Sequence, residues 1–567
     1  MKALLLDVEK LSYEAVKPEA EVYEEERLIN KRAEVNDALC LMFTVESGDN
    51  DAIAAEAAND AISYCKKNNI KNLVVYPYAH LSSDHADLRE ALRITKNIRE
   101  LVKGAGLNLI AAPFGWNKKL ELSIKGHPLA EQFREYGSSI KESSNKEKKE
   151  LKIDTSIVRK SDWKDLPEDD HRRIGERLDL YSFQEVSPAM VYFHPRGTVI
   201  YNELTSFLRE LEQDYGYEEL ILPAISNIAL FHVSGHLDHY VDNMFIMDSP
   251  LGRLALKPMN CPSTILIYKT KRWSYRDLPW RTATFSKVYR MELSGAVTGL
   301  FRVRELTQDD GHIFAREDQV EDEISKLLEM IKKVYDTLGL KFYAKLSTRP
   351  DDYIGDESLW DRATAALENA LKKNNISYQI KEKEGAFYGP KIDVDVLDSR
   401  GRYWQCATIQ LDYQLPRRFG ITYIDENGKE QVPVIIHRAI LGSLERFIGV
   451  MTEHFKGAFP TWLSPVQVYI ATINDSVADY AKEIYSRLKK ERIRAALDTS
   501  DRTLEYKIRE AHDEEAPYII IVGSKEKSSN KISIRMRGNK QLSGIDIEDF
   551  ISKIKKEISD RSLSSLF

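Results

Sequence analysis

The sequence predicts an α/β multidomain protein, and three observations lead to this prediction. Strand-like and helix-like segments alternate near both ends of the chain, a longer central stretch is rich in strand signals, and a segment rich in Ser and Lys follows the first part. The 567 residues are enough for several separate hydrophobic cores. We therefore expect four parts: an N-terminal domain over 1–140, a linker over 141–175, a central domain over 176–463 and a C-terminal domain over 464–567.

The N-terminal part alternates between two kinds of segment. The strand-like segments are KALLLDV, ALCLMFTVE, NLVVYPYAHL, NLIAAPFG and KLELSIKG. The helix-like segments are AIAAEAANDAISYCKK and DLREALRITKNIRELVKG, and we expect Gly104 to be the C-cap of the second. The following GSSIKESSNKEKKELKID is nearly free of apolar side chains, which favours a linker, with a solvated helix face as the alternative.

The central and C-terminal parts carry their own patterns. PVIIHRAILGSLERFIGVMTEHF predicts a strand, VPVIIH, followed by a buried helix. The apolar residues expected on that helix are Ile440, Leu441, Leu444, Phe447, Ile448 and Met451. From Val466 the segments VQVYIATIN, DSVADYAKEIYSRLKKER, RAALDT, RTLEYKIREAHDE and APYIIIVG predict a βαβαβ unit.

Composition limits the class of protein but not its function. The chain is 43% hydrophobic and 30% charged, and no apolar run approaches the ~20 residues of a membrane span. The N-terminal MKALLLDVEKL fits a first strand better than a signal peptide, and the four scattered cysteines form no disulfide framework, which predicts a cytoplasmic protein without a membrane partner. With a net charge of −7, binding of nucleic acid would need local basic patches such as KKERIR.

One stretch, YRMELSGAVTGLFRVRELTQDDGHIF (289–314), concentrates groups that suit a ligand. Two strand-like ends surround a loop punctuated by glycines, and arginines stand at its mouth. Guanidinium groups are bidentate donors to phosphate or carboxylate. The acidic residues beside them suit an amine or a metal, so the stretch predicts a site for both kinds of ligand.

This stretch and five others in the same order resemble class II aminoacyl-tRNA synthetases and, most specifically, threonyl-tRNA synthetases. The other five are KPMNCPSTI, AFYGPKID, YWQCATIQLDYQLPRRF, HRAILGSLERF and FPTWLSPVQV. In the N-terminal part, YPYAHLSS and APFGWNKKLELSIKGHPLAE resemble the editing domain of archaeal threonyl-tRNA synthetases, a relative of D-aminoacyl-tRNA deacylases. The resemblance implies a deacylase-like α/β domain, a class II core of antiparallel sheet with helices, and an α/β anticodon-binding domain.

The resemblance also implies an ATP site. Arg290 would hold the α-phosphate and the reacting carboxylate, Glu292 would recognise adenine from the same strand face, and Arg446 would take the γ-phosphate. The full set implied for ATP, with its Mg²⁺, is Arg290, Glu292, Arg302, Gln405 and Arg446. The catalytic candidates are Arg290, Arg446 and Lys391.

A zinc site is implied at Cys261, His312 and His437. From the residues alone each would more often be part of a core, and only the resemblance makes them Zn²⁺ ligands. Zinc would bind the amine and the hydroxyl of threonine, which valine cannot match, whereas shape alone separates such isosteres by only ~10²-fold. The substrate-binding candidates are Met259, Gln308, Asp310, Tyr388 and Gln410.

Serine keeps the hydroxyl, so a second site is needed to remove misattached serine. The editing candidates are His80, Lys118 and Glu131. The anticodon-binding candidates are Arg509, Glu526 and Arg535. The helix and strand of residues 198–226, which end near Pro223, correspond to the segment that forms the dimer interface in this class.

The implied function is ATP-dependent activation of threonine, its ligation to the 3′ end of tRNA(Thr), and hydrolysis of seryl-tRNA(Thr). One alternative keeps the enzyme class but takes another amino acid, such as serine or proline. The other is a synthetase-like paralogue that binds tRNA without charging it. Retention of Arg290, Arg302 and Arg446 argues against the paralogue.

Overall fold

The computed structural model describes residues 1–18, 26, 29–82, 84–127, 129–137, 163–293 and 295–567. Internal contacts group the chain into two compact units, Met1–Lys152 and Ile153–Phe567. Most of the predicted linker lies outside the described residues. Its last part is not a linker, because α3 (His171–Arg177) begins within it and buries Ile174 in the core of the second unit.

The first unit is a mixed sheet covered on one face by two helices. Its strands are β1 (Lys2–Pro18), β2 (Arg32–Thr44), β3 (Asn72–Pro77), β4 (Asn108–Ala111), β5 (Trp116–Ile124) and β6 (Glu131–Glu135), and its helices are α1 (Asp51–Lys67) and α2 (Leu88–Gly104). The order is β4-β3-β2-β1-β5, with β6 also paired to β1. β2, β3 and β4 are parallel to one another, whereas β1 is antiparallel to β2, β5 and β6.

Alternating side chains of β1 reach opposite faces of this sheet. Ala3 and Leu5 pack with α1 and α2, whereas Leu6 and Val8 belong to a cluster on the other face. The predicted strands and helices are confirmed, with differences at their ends. β3 stops at Pro77, and Ala79–Leu81 form a 3-10 helix instead of continuing the predicted strand, while β4 stops at Ala111. Helix α2 continues through Gly104, and the glycine with positive φ (+78°) is Gly106.

The second unit centres on an eight-stranded, mainly antiparallel sheet, which confirms the predicted core. Its strands are β9 (Glu218–Glu219), β13 (Trp280–Tyr289), β14 (Glu305–Ala315), β15 (Lys341–Ser347), β16 (Tyr378–Lys381), β17 (Lys391–Leu397), β18 (Tyr403–Asp412) and β21 (Val434–Ser443). They lie in the order β16-β15-β17-β18-β21-β14-β13-β9. Smaller sheets are formed by β7 (Tyr181–Phe183) with β8 (Val191–Phe193), by β10 (Ile225–Asn227), β11 (Ile246–Ser249) and β12 (Gly252–Leu256), and by β19 (Tyr423–Ile424) with β20 (Glu430–Gln431).

Helices of the second unit pack against this sheet. They are α4 (Pro195–Asp214), α5 (Ala229–Val233), α6 (His236–His239), α7 (Cys261–Tyr268), α8 (Val320–Thr337), α9 (Glu357–Lys373), α10 (Leu415–Arg418) and α11 (Leu444–His454). One boundary differs from the prediction. Ile440 and Leu441 are buried in β21 rather than in the helix, because the carboxylate of Asp309 accepts hydrogen bonds from both their backbone N–H groups and keeps the strand going to Ser443.

The C-terminal part confirms the predicted βαβαβ unit and extends it. Its strands are β22 (Val468–Thr472), β23 (Ala495–Asp498), β24 (Tyr518–Val522), β25 (Ile532–Met536) and β26 (Gln541–Ile545), in the order β23-β22-β24-β25-β26. Its helices are α12 (Ala478–Lys490), α13 (Leu504–Asp513), α14 (Ser524–Ser529) and α15 (Ile547–Ser559). Ion pairs such as Arg494–Glu203 (2.5 Å) join it to the central part. Among the described residues, no helix is both long and apolar enough to cross a membrane.

Candidate active site

Strand register brings distant residues into one row across the large sheet. Gln410 on β18 is opposite His437 on β21, which is opposite His312 on β14. Lys391 on β17 is the next neighbour, opposite Gln410. Adjacent strands are about 4.8 Å apart, so four residues from four separate motifs are consecutive neighbours. No spacing in the sequence reveals this, because register is a property of the folded sheet.

Cys261 completes a potential metal site beside this row. It is the first residue of α7, and its Sγ and the ring nitrogens of His312 and His437 all lie within 4.8 Å of one another. All three side chains are buried. One thiolate and two imidazoles are typical zinc ligands, and three protein ligands leave a fourth position open. The donor set therefore fits zinc.

Asp412 orients one of these candidate ligands and was not predicted from the sequence. His437 Nε2 donates to the buried Asp412 Oδ2 (3.0 Å), so Nδ1 of His437 is the nitrogen left for a metal. Asp412 lies at the end of β18, two residues beyond Gln410 and within the quoted motif YWQCATIQLDYQLPRRF. Only the distance to His437 reveals its role.

The protonation of the donor set also suits a cation. Burial lowers the pKa of His312 to about 4, so the ring is neutral and has a lone pair to donate. Burial, with Asp310 and Asp412 adding to it, raises the pKa of the Cys261 thiol. A bound dication would counteract that effect and favour the thiolate.

The zinc candidates share one cavity of about 300 Å³ with most of the other predicted residues. On β14, Gln308, Asp310 and His312 alternate and so lie on one face. Asp310 Oδ2 accepts a hydrogen bond from the buried Asn260 Nδ2 (3.0 Å). The predicted residues that line the cavity are Met259, Cys261, Arg290, Gln308, Asp310, His312, Tyr388, Gln405, Gln410, His437 and Arg446.

Two of the predicted arginines, Arg290 and Arg446, line the same cavity. Arg446 Nε donates to the Phe301 carbonyl (3.0 Å), and burial, with nearby Arg290 and Arg302, lowers the pKa of Arg446. Mutually repelling guanidinium groups are stabilised by an anion, so these arginines suit phosphates. Arg302 is itself paired with Glu292 (2.8 Å).

Four predicted residues are placed differently from the sequence expectation. Arg290 and Glu292 are not on a strand face, because β13 ends at Tyr289 and both lie in the loop that joins it to β14. Lys391 lies beside Gln410 in the sheet, but its side chain pairs with Asp393. Arg302, Glu292 and Lys391 are not among the lining residues of the cavity.

Asp309 was also missed, although it stands between two predicted residues. It faces away from Gln308 and Asp310 and accepts hydrogen bonds from the backbone N–H groups of Ile440 (2.7 Å) and Gly442 (2.8 Å). Burial raises its pKa to about 7. Asp309 thereby fixes the turn that leads from His437 to the helix of Arg446.

The first unit has a separate cavity of about 600 Å³. His80 and Lys118 both line it, with aromatic neighbours that include Tyr76 and Trp116. Lys118 Nζ donates to the carbonyls of Pro113 (3.1 Å) and Trp116 (2.9 Å) and lies 4.9 Å from the ring centre of Tyr76. Burial, with Arg99 adding to it, lowers the pKa of Lys118 to about 8.

The structure does not bring Glu131 to this cavity within one chain. Glu131 is exposed on β6 and is opposite Leu6 of β1, whereas Lys118 on β5 is opposite Ala15. Glu131 is also not among the residues that line the cavity. The expectation that Glu131 joins His80 and Lys118 is therefore not met, since β5 and β6 pair with different parts of β1. Ser83 and Pro128, in the motifs quoted for this domain, lie outside the described residues.

The anticodon candidates lie on three elements of the C-terminal part. Arg509 on α13 is stacked against Tyr506, with 5.2 Å between the guanidinium carbon and the ring centre. Glu526 on α14 accepts hydrogen bonds from Gly523 N (3.0 Å), and Arg535 on β25 donates to Asn539 (2.6 Å). Glu526 thus caps the start of its own helix.

Comparison with known proteins agrees with this layout. The family model of the archaea-specific editing domain of threonyl-tRNA synthetase matches residues 1–136, that of the tRNA synthetase class II core domain (G, H, P, S and T) matches 245–455, and that of an anticodon binding domain matches 467–557. The threonine–tRNA ligase catalytic subunit of Sulfurisphaera tokodaii is 48% identical over 404 residues, which cover 70% of this chain and 75% of that protein. The chain belongs to the threonine–tRNA ligase family.

Further members of this family are similar over the same share of the chain. The threonine–tRNA ligase of Thermotoga neapolitana is 47% identical over 395 residues, and the match spans 70% of this chain but only 62% of that relative. A crystal structure described as the RNA binding domain of threonyl-tRNA synthetase from Cryptosporidium parvum superimposes with a TM-score of 0.65 and 39% identity, covering 68% of this chain and 98% of that one. The resemblance and the fold class inferred from the sequence are thereby confirmed.

Proposed function

We propose that this protein is a threonine–tRNA ligase that also hydrolyses seryl-tRNA(Thr). The observation that carries the proposal is one cavity lined both by the Cys261–His312–His437 donor set and by Arg290 and Arg446. The donor set suits an amine and a hydroxyl, and the arginines suit phosphates. Threonine and ATP together offer those groups.

The first step joins threonine to ATP. The threonine carboxylate attacks the α-phosphorus, and pyrophosphate leaves with its Mg²⁺. Arg290 would stabilise the charge that builds on the α-phosphate, and Arg446 would hold the γ-phosphate that departs. Glu292 and Gln405 would contact the nucleoside, with the Glu292–Arg302 pair opening so that Arg302 meets the triphosphate. In the second step the 3′-terminal hydroxyl of tRNA attacks the carbonyl carbon, and AMP leaves.

Cys261, His312 and His437 would hold zinc. When bound, zinc supplies an open coordination site for the amine and the β-hydroxyl of the substrate. Asp310 would accept a hydrogen bond from the substrate amine, while Gln308, Gln410, Met259 and Tyr388 would border the side chain, with Lys391 on the wall behind Gln410.

The first unit would hydrolyse seryl-tRNA(Thr) and so remove misattached serine. Its cavity holds Lys118 as a half-buried cation, and only two of its three N–H groups donate to the carbonyls of Pro113 and Trp116. That group would stabilise the oxyanion formed when water attacks the ester, and His80 would border the same cavity. No cysteine lines the cavity, so hydrolysis by water is the matching chemistry.

The proposed partners are tRNA(Thr) and a second copy of the chain. Arg509 and Arg535 would contact anticodon bases. Glu526 would do so only from the start of its helix, where it accepts the hydrogen bond from Gly523 N. Ile221 and Ile225, which follow the helix expected at the dimer interface, are 94% and 49% exposed and support a homodimer. Four buried free cysteines support a cytoplasmic setting.

ATP–pyrophosphate exchange with threonine, serine and valine tests the synthetic half. We expect exchange with threonine and serine, and about 10⁴-fold less with valine, because a site built for a hydroxyl leaves its polar groups unpaired with valine. Equal exchange with valine would contradict the proposed role of the metal. No exchange with any of them would favour the paralogue that binds tRNA without charging it.

A further inference from the structure

We propose that His171 is a positioning residue that fixes the end of the β13–β14 loop to α11, and so sets the distance between Arg302 and Arg446 at the ATP site. His171 is fully buried at the first position of α3, in a segment that the sequence assigned to a linker. The inference rests on the proposed function, because it concerns the binding of ATP by these two arginines.

The imidazole of His171 bridges the loop and the helix. Leu300 N donates to His171 Nε2 (3.1 Å), while His171 Nδ1 and its backbone N both point to Glu453 Oε1 (2.8 and 3.0 Å). A backbone N–H can only donate, so Nε2 accepts and the ring proton is on Nδ1, where it donates to the carboxylate. One ring therefore satisfies a loop amide on one side and a helix carboxylate on the other.

The partner on the helix lies on the same face as an ATP-site arginine. Glu453 follows Arg446 by two turns of α11, and Gly449 lies between them. A Cβ at Gly449 would be only 3.1 Å from Leu300 Cβ and from Phe301 Cε1, so the loop packs directly on this face. The Phe301 carbonyl then accepts from Arg446 Nε (3.0 Å).

The loop is shaped to approach the ring. Gly299 has φ +48°, and a Cβ there would lie 2.2 Å from His171 Nε2, so a larger residue cannot occupy this position without displacing the ring. The ring centres of His171 and Phe301 are 4.1 Å apart. Arg302 is the next residue after Phe301, so the contacts of His171 with Leu300 and Phe301 also fix the position of the Arg302 backbone.

These contacts also explain why the cluster of Asp170, His171 and Glu453 is better suited to positioning than to a metal. Its donor atoms lie close together, but each carboxylate already has a cationic partner. Asp170 is paired with Arg172 (2.9 Å), and Glu453 is paired with Arg402 as well as bonded to His171. With these partners in place, little charge remains for an ion to neutralise.

Two substitutions separate the two hydrogen bonds. In His171→Gln the amide oxygen can lie near the former Nε2 and accept the hydrogen bond from Leu300 N. In His171→Asn the amide reaches only the former Nδ1 position, so it keeps the hydrogen bond to Glu453 and loses the one from Leu300. Both variants lose the ring and its packing. We expect the KM for ATP in pyrophosphate exchange to rise about tenfold in His171→Asn, the size expected for one unpaired buried N–H, and at most about threefold in His171→Gln. The KM for threonine should stay within about twofold in both.

A merely structural role would give a different pattern. Equal KM values for ATP in the two variants, or a joint rise of both KM values that follows the loss of thermal stability, would overturn the inference. If neither variant folds, Gly299→Ala tests the same contact from the loop side and retains His171. We expect its KM for ATP to rise at least about tenfold, and an unchanged value would overturn the inference. Absence of exchange in the unmodified protein would instead refute the proposed function on which the inference rests.

Discussion

The pocket of the second unit and the cavity of the first unit hold their functional groups in different ways. The pocket, about 300 Å³, places Asp310, His312, Gln410 and His437 on adjacent strands, where the register of β14, β18 and β21 fixes their spacing, while helices and a loop bring Cys261 and the arginines beside them. The cavity, about 600 Å³, is lined largely by apolar and aromatic side chains, and Lys118 is held in it by backbone carbonyls.

The difference matches the demands of the two proposed reactions. Synthesis must align three reactants around a build-up of negative charge, and rigid strands with paired side chains suit this task. Hydrolysis of an ester needs one attacking water and one group that stabilises an oxyanion. An apolar cavity around a single cation is sufficient for that, because burial strengthens the interaction of the cation with a developing charge.

The largest expected effect separates the two sites by removing an arginine. Arg290→Gln should lower kcat/KM for threonine-dependent pyrophosphate exchange by about 10²–10³-fold, because it removes a donor to the charge that develops on the α-phosphate. Hydrolysis of previously prepared seryl-tRNA should not change. Arg276→Gln, at an exposed arginine beside Tyr275, is the matched control and should leave both rates unaltered. A loss of less than tenfold in Arg290→Gln would argue that the cavity does not form the reaction site.

A smaller effect is expected at Asp412, which contacts one of the proposed zinc ligands. Asp412→Asn should weaken zinc binding by about 10–100-fold, since the carboxylate no longer orients His437. Competition with a chelator, followed by metal analysis of the protein, measures this directly and does not require activity. Asp425→Asn changes a half-buried carboxylate in the turn between β19 and β20 and is the control. Equal zinc affinity in the two variants would contradict the assignment of His437 as a ligand.

Much of the fold can be predicted from local patterns, because the spacing of apolar residues differs between strands and helices. The boundary at Ile440 was wrong for a physical reason: the N–H groups that would start a helix there are taken by Asp309, which lies on another strand. The two hydrogen bonds that join Leu300 to His171 and His171 to Glu453 are likewise formed by residues far apart in sequence. Local pattern contains no information on such partners.

The candidate site depended on resemblance far more than on residue patterns. Cys261, His312 and His437 have no informative spacing. The register of β14 and β21 explains why the two histidines meet, and the start of α7 brings Cys261 to them. The same lack of register information led to the misplacement of Glu131, whose strand pairs with a different part of β1 from that of Lys118. Asp412 could not be recognised at all, since its role depends on a 3.0 Å contact across strands.

Charging of tRNA(Thr) with threonine and, separately, with serine tests most directly the claim that the two cavities perform opposite reactions. The intact protein is compared with Lys118→Met and with Lys119→Met, which alters the exposed neighbouring lysine. The account predicts that all three proteins charge threonine and that seryl-tRNA accumulates only with Lys118→Met. Accumulation of seryl-tRNA by the intact protein, or failure of the intact protein to charge threonine, would contradict it.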